Sequence, residues 1–266
     1  MNNAIYVLFM EMTVPVMNLS FAACGFLGIY QLGACGAILR HGDKLLSSLR
    51  ACAGASAGAL VAAVMVTAPD KLESVKEFTF RFAKDVRSQR LGAVTPGYNF
   101  MLTLREGIEE FLPGDAHSKA DNRLHISITH SKSGKNTIVS SFASREDLIK
   151  ALLASSFVPV YAGIKPVEWQ GQKWIDGGFT DSLPILPEGR TITVSPFAGP
   201  QDICPKHRGL MNLHLKLANM DVMFSKENII RLNQSLFPPL EERMNQYCKE
   251  GHDDAVRFLK NENWIQ

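Results

Sequence analysis

The sequence has no apolar run of bilayer length, no C-x-x-C pair and no block of like charge. A membrane-spanning helix needs about 20 consecutive apolar residues. The apolar stretch at residues 4–17, AIYVLFMEMTVPVM, is shorter and is broken by Glu11. No basic segment precedes it, so residues 1–17 read as an apolar leader or membrane-skimming extension and not as a secretory signal. The five cysteines, Cys24, Cys35, Cys52, Cys204 and Cys248, are odd in number and widely spaced. That spacing offers neither a zinc nor a redox motif and reads as reduced, mostly buried thiols in an intracellular protein. Two glycosylation triplets, Asn18-Leu19-Ser20 and Asn233-Gln234-Ser235, carry little weight beside such a cysteine set. Charge is sparse at 20% of residues and nearly balanced at a formal +2, with the basic residues scattered. A nucleic-acid partner would require a basic footprint, which this distribution lacks. No metal site, cofactor motif, internal repeat or low-complexity linker is legible, and nothing identifies a protein partner.

Apolar material is plentiful: 46% of 266 residues, enough to bury the core of one large domain or two small ones. Short apolar strands alternate with helical patterns. Residues 19–23 predict a buried strand, 29–41 a helix closed by Gly42, 49–53 a second strand, and 57–67 a strongly apolar helix. Further helices are predicted over 70–90 and 100–111, and strands over 124–130 and 137–142 joined by the Ser133-Gly134-Lys135 turn. Ser144, with Asp147 three residues on, predicts a capped helix to about Ser155. Strands follow at 174–176 and 191–195, and 225–259 reads as helical apart from Pro238-Pro239. This alternation predicts an α/β fold with a mainly parallel central sheet, helices on both faces, and a helical tail packed on the same core. The expected parts are the leader (1–17), a catalytic domain (18–196) and a C-terminal helical extension (197–266).

The sharpest chemical signal is Gly54-Ala55-Ser56-Ala57-Gly58. G-x-S-x-G between a strand and a helix is the pattern of a nucleophile elbow. The turn is so tight that a side chain at either glycine would collide with the flanking strand and helix. The serine then stands at a helix N-terminus, where the dipole favours developing negative charge. The pattern also arises by chance, so the preceding strand and the apolar Leu60-Val61-Ala62-Ala63-Val64 run behind it matter. The second signal is Asp176-Gly177-Gly178 at a strand end. Asp before Gly makes an ordinary Asx-turn just as readily; paired with Ser56, Asp176 becomes the candidate general base. The third is the Gly25-Phe26-Leu27-Gly28 turn. Acyl transfer needs N–H donors aimed at the tetrahedral oxyanion, and a glycine-rich turn supplies them, although a plain tight turn has the same composition.

In this order the three elements resemble the patatin-like phospholipase family, which has a glycine-rich oxyanion turn, a G-x-S-x-G elbow, and then D-G-G or D-G-A. The resemblance runs from about Asn18 to Pro196. It is carried also by Ser20-Phe21-Ala22-Ala23-Cys24-Gly25-Phe26-Leu27-Gly28, and by Ala154-Ser155-Ser156-Phe157-Val158-Pro159, which looks like the family's helix-ending segment before the aspartate strand. It implies a three-layer α/β/α sandwich and a Ser–Asp dyad without histidine. Asp176 would take the proton from Ser56 directly, Ser56 would attack an ester carbonyl, and the Gly25 and Phe26 N–H groups would hold the oxyanion. Gly28, Gly54, Gly58, Gly177 and Gly178 would shape the turns. Water would release the acid, or an alcohol such as a partial glyceride or retinol would take the acyl group. The resemblance further implies lipid esters as substrates (triacylglycerol, retinyl ester, phospholipid), a lipid-droplet or membrane surface as partner, and a cytoplasmic, lipid-droplet or mitochondrial location. The sequence departs from the family at the oxyanion turn, where Ala23 and Cys24 precede Gly25 in place of consecutive glycines. Backbone donors survive that change.

Two other readings stay open. A Ser-Asp-His α/β-hydrolase would draw its base from His207, His214 or His252, which follow Asp176 in the order that class uses, but only about two strands precede Ser56. A non-catalytic lipid-binding or scaffold protein is possible on the same fold, against which stand the intact Ser56 and Asp176. Phe78, Phe80, Phe82, Leu91, Phe100 and the segment Leu236-Phe237-Pro238-Pro239 are either core or a lipid-facing rim.

Overall fold

The computed structural model describes residues 16–206 and 213–265, so most of the expected leader lies outside the described residues. Met17, placed in that leader by the sequence, instead opens the first strand. The chain runs β1 (Met17–Phe21), α1 (Gly28–His41), α2 (Asp43–Leu46), β2 (Leu49–Ala55), α3 (Ala57–Thr67), α4 (Leu72–Ser88), α5 (Phe100–Phe111), α6 (Ala116–Ala120), β3 (Leu124–His130), β4 (Asn136–Val139) and α7 (Arg145–Ser155). It continues through β5 (Val167–Trp169), β6 (Gln172–Asp176), β7 (Arg190–Val194), β8 (His214–Leu217), β9 (Met220–Met223), α8 (Lys226–Leu236) and α9 (Glu241–Asn261).

The main sheet has the order β5-β6-β3-β2-β1-β7, with β4 on the far side of β3. Its centre, β3-β2-β1-β7, is parallel, and β4, β5 and β6 form an antiparallel margin. Helices cover both faces, as the alternation predicts. Parallel central strands are buried on both sides, which is why β1 reads Leu19, Ser20, Phe21 without an exposed position. Asn18 is 1% exposed within this strand, so its glycosylation triplet is no acceptor. The helices are made by their apolar spacing: α4 buries Leu72, Val75, Phe82 and Val86 along one stripe. In α7, Ser144 Oγ accepts from the Asp147 N–H (3.1 Å), the cap that the sequence predicts, while Asp147 Oδ2 reaches one residue past the N-cap and accepts from the Ala143 N–H (3.1 Å).

The strand register brings two distant residues together. Ser127 pairs with Ala55 of β2 and Ile138 of β4, while Ile128 pairs with Asp176 of β6 and Thr137 of β4. β2 and β6 therefore occupy the same side of β3, end to end. β2 runs up to Ala55, β6 runs down to Asp176, and their C-termini meet at the middle of β3.

The tail packs on this body. α9 lies along α1 so closely that a Cβ on Gly33 would stand 1.9 Å from the Cys248 carbonyl oxygen. The fully buried Tyr30 donates to Asp254 Oδ2 across the contact at 2.6 Å. Burying a side chain of this class stabilises by roughly 1.5–3 kcal/mol. One element departs from the expected helical extension: residues 214–223 form the β8–β9 hairpin. Leu217 pairs with Met220, and the two-residue turn between them, Ala218-Asn219, has positive φ at both positions (43° and 67°). Such turns are usually written with glycine, and its absence hid this one. All five cysteines are unpaired, four of them buried. Among the described residues, no helix is long and apolar enough to cross a membrane.

Candidate active site

Ser56 is the single residue between β2 and α3. Its backbone has φ 55° and ψ −129°, a conformation that L-residues rarely adopt. Packing enforces it. A Cβ on Gly58 would lie 2.1 Å from the Phe21 carbonyl oxygen, and one on Gly54 would lie 2.4 Å from the Gly58 backbone. Only glycine lets β2, α3 and β1 approach this far. The turn is also tied from outside: the Ser56 N–H donates to Ser155 Oγ (2.8 Å), and Ser155 Oγ donates to the Ser127 carbonyl (2.7 Å). The end of α7 thus locks the elbow to β3. Sequence reasoning singled out the Ser155 segment without assigning that role, because the contact spans 99 residues.

Asp176 ends β6, 4% exposed. Its N–H donates to the Phe157 carbonyl (2.8 Å), its carbonyl accepts from Thr129 Oγ1 (2.8 Å), and its Oδ1 accepts from the Gly178 N–H (2.7 Å). Burial pushes its carboxyl up to about 6, against an ordinary 3.8, and the nearby Ser56 hydroxyl and the hydrogen bond from the Gly178 N–H pull it back. Gly177 sits against the Ser127 backbone and Gly178 against Ala23, so neither has room for a side chain. The Asx-turn that the sequence offers at Asp176 is therefore present.

The Gly25–Leu27 segment is a single helical turn, so the N–H groups of Gly25 and Phe26 have no acceptor within it. Gly25 has φ +50°, and a Cβ there would strike the Ser235 carbonyl oxygen at 2.1 Å. Phe26 anchors the turn in an aromatic cluster, 5.3 Å from the Phe82 ring and 6.4 Å from that of Phe100. Gly28 contacts Ala57 of the elbow helix. Cys24, buried beside the turn, has its thiol pushed well up by burial and by the charge of Asp176, so it stays neutral.

Ser56, Asp176, Gly25, Phe26, Gly28 and Gly178 all line one cavity of about 740 Å³. Its walls are apolar. Phe78, Phe82, Phe100 and Phe111 form one side; Leu215 and Met220 of the hairpin, Phe224 just after it, and Ile229 and Leu232 of α8 form the other. Of the apolar residues left open by the sequence, Phe82 and Phe100 belong to core and cavity at once, while Leu91 is 57% exposed and away from the cavity. The second wall was missed, since the hairpin was. Of the late histidines, His214 lies exposed on β8, and His252 lies on α9 beside Asp253 and 6.3 Å from the His41 ring. Neither lines the cavity. His207 lies outside the described residues.

Residues 19–187 match the family model described as patatin-like phospholipase. Patatin-like phospholipase domain-containing protein 4 of Homo sapiens is 58% identical over 250 residues, which cover 94% of this chain and 99% of that protein. The 1-acylglycerol-3-phosphate O-acyltransferase Pnpla3 of Mus musculus is 37% identical over 93% of this chain and 60% of its own length. This chain therefore spans nearly all of the first relative and less than two thirds of the second. Among solved structures, VipD from Legionella pneumophila is similar with a TM-score of 0.51 at 12% identity, covering 94% of this chain and 67% of that one. At that identity the likeness is one of fold.

Proposed function

The chain belongs to the patatin-like phospholipase family, and from that membership we propose that it is a lipid acyl hydrolase working through a Ser56–Asp176 dyad. The observation that carries this reading is the meeting of β2 and β6 end to end, with Ser56 and Asp176 at the floor of an apolar cavity. A base raised to about 6 is still ionised at neutral pH and is a better proton acceptor than an ordinary aspartate. Asp176 takes the Ser56 proton as the serine attacks the ester carbonyl. The Gly25 and Phe26 N–H groups receive the oxyanion, each donor of this kind being worth about 10²–10³ in rate. Asp176 then protonates the departing alcohol, leaving an acyl-enzyme. Water releases the acid, regenerating Ser56; an alcohol such as a partial glyceride or retinol forms a new ester instead. The acyltransferase name of one relative is in keeping with that second outcome.

The substrates on this reading are lipid esters: triacylglycerol, retinyl ester or phospholipid. Phe179, Leu215, Phe224, Ile229 and Leu232 line the cavity and are each about half exposed. An apolar rim continuous with an apolar cavity suits docking on a lipid-droplet or membrane surface.

The test is labelling of the purified protein with a fluorophosphonate probe, with the adduct located by peptide mass and Ser56→Ala alongside. Label on Ser56 that disappears in the variant supports the reading, and turnover of emulsified glycerides, retinyl esters and phospholipids then ranks the substrates. A folded wild type that neither labels nor turns over any of them overturns it and leaves a lipid-binding scaffold.

A further inference from the structure

The segment Ser155-Ser156-Phe157 bridges the two ends of the dyad. Ser155 Oγ holds the backbone N–H of Ser56, and the Phe157 carbonyl holds the backbone N–H of Asp176. Ser156 sits between these two anchors, 7% exposed, and lines the cavity together with Ser56 and Asp176. Its hydroxyl is buried and has no hydrogen-bond partner. Among the described residues, the other buried side-chain polar atoms without partners belong to Ser20, Gln31, His117, Gln201, Arg231 and Glu250, none of which lines the cavity. A buried hydroxyl left unpaired is costly, and a serine hydroxyl turns freely among its staggered rotamers to meet a partner. Ser156 lines the cavity, and a turn of the hydroxyl out of the wall would bring it to a substrate oxygen there.

The proton relay says which atom of the substrate that is. Asp176 returns its proton to the alkoxy oxygen, so that oxygen has to come within reach of the carboxyl, and Ser156 immediately precedes the Phe157 carbonyl that holds the Asp176 N–H. An ester carbonyl at Ser56 that points its oxygen toward Gly25 and Phe26 then brings its alkoxy oxygen beside Asp176 and Ser156. We propose that Ser156 is a substrate-contact residue whose hydroxyl donates a hydrogen bond to the alkoxy oxygen of the leaving or incoming alcohol. The inference rests on the dyad reading above. In acylation the bond from Ser56 Oγ to the acyl carbon forms, the bond from that carbon to the alkoxy oxygen breaks, and the proton taken by Asp176 passes to the departing oxygen. Ser156 stabilises charge on that oxygen as it leaves and is unchanged at the end. Transfer to an acceptor alcohol runs the same contact in reverse.

The contact matters only where the leaving oxygen needs help. Trioctanoylglycerol and p-nitrophenyl octanoate carry the same acyl group on a poor and a good leaving alcohol. Ser156→Ala is expected to lower kcat/KM for emulsified trioctanoylglycerol about fivefold, as loss of one neutral hydrogen bond would. Turnover of p-nitrophenyl octanoate and fluorophosphonate labelling of Ser56 should stay near wild type. The melting temperature should hold or rise, because no protein partner is lost. Equal loss on both esters, no loss on either, or a fall in melting temperature overturns the assignment and leaves Ser156 a structural residue. Those outcomes differ from failure of the dyad itself, in which the wild type would show neither label nor turnover.

Discussion

The floor and the roof of the cavity are built on opposite principles. The floor, made of the elbow, the Gly25–Leu27 turn and the end of β6, is fixed by backbone: glycines with no room for a Cβ, a strained Ser56, and hydrogen bonds from β3 and α7. The roof, made of β8, β9 and α8, is fixed by amphipathic side chains: Met220, Val222 and Met223 of β9 are buried, while Leu215, Ile229 and Leu232 are about half exposed. Positioning a nucleophile against a base tolerates displacements of only a fraction of an ångström. Holding an acyl chain asks only for apolar surface of suitable shape. The same chain therefore spends its glycines on one wall and its leucines and isoleucines on the other.

The largest expected effects fall on the floor. Ser56→Ala should abolish labelling and lower ester turnover by about 10⁴-fold or more, as removal of an activated nucleophile does, while binding of a lipid surface persists. Gly58→Ala drives a methyl into the Phe21 carbonyl, a backbone atom that cannot step aside. It should cost about 3 kcal/mol or more, in the range of overpacked sites, read as a fall in melting temperature. Leu232→Ala on the roof, half exposed, should cost about 1 kcal/mol or less. Equal losses from the two would erase the contrast between the walls.

Asp176 sharpens it further, because the floor holds a group that the fold would rather keep neutral. As the proposed base it would act when ionised, so kcat/KM should climb about tenfold per pH unit up to about 6 and level off above. Stability runs the other way. The carboxyl is raised in the folded protein, so the stability its protonated form contributes is fully present below the unfolded value of 3.8 and is lost as pH rises through about 6. Asp176→Asn removes that cost, up to about 3 kcal/mol. The variant should be inactive at pH 7.5 yet melt no lower than the wild type. Denaturant titration with the activity assay checks both; an Asn variant that is clearly less stable would mean that the carboxylate holds the floor together.

The division between the walls is also the division between what was legible in the sequence and what was not. Gly54, Ser56 and Gly58 lie within one turn, and their spacing alone states the packing problem they solve. The parallel sheet and most helices followed from periodicity in the same local way. Asp176 was marked by Gly177 and Gly178, but its partnership with Ser56 depends on β2 and β6 sharing one side of β3, a fact of register that no local window contains. Ser155 reaches Ser56 from 99 residues away through a hydroxyl indistinguishable in sequence from any helix-ending serine. The roof hairpin turns on Ala218-Asn219, which adopts positive φ without the glycine that announces such a turn.

The smallest expected effect tests the roof alone. Ile229 and Leu232 line the cavity from α8 and are 54% and 51% exposed. Replacing both with serine removes apolar area that would enter a lipid surface, worth on the order of 1 kcal/mol for each half-buried side chain. The double variant should lose about tenfold in kcat/KM on an emulsified glyceride and in partitioning to lipid vesicles, with little change on a soluble short-chain ester. Parallel loss on the soluble ester is the outcome that would merge the two walls. It has a physical route, since the Ser235 carbonyl at the end of α8 rests directly on Gly25, and a shift of α8 would then reach the N–H groups proposed to hold the oxyanion. Retention of soluble-ester turnover means that α8 bears on the lipid and not on the chemistry, and that the floor is held by β3 and α7 without it.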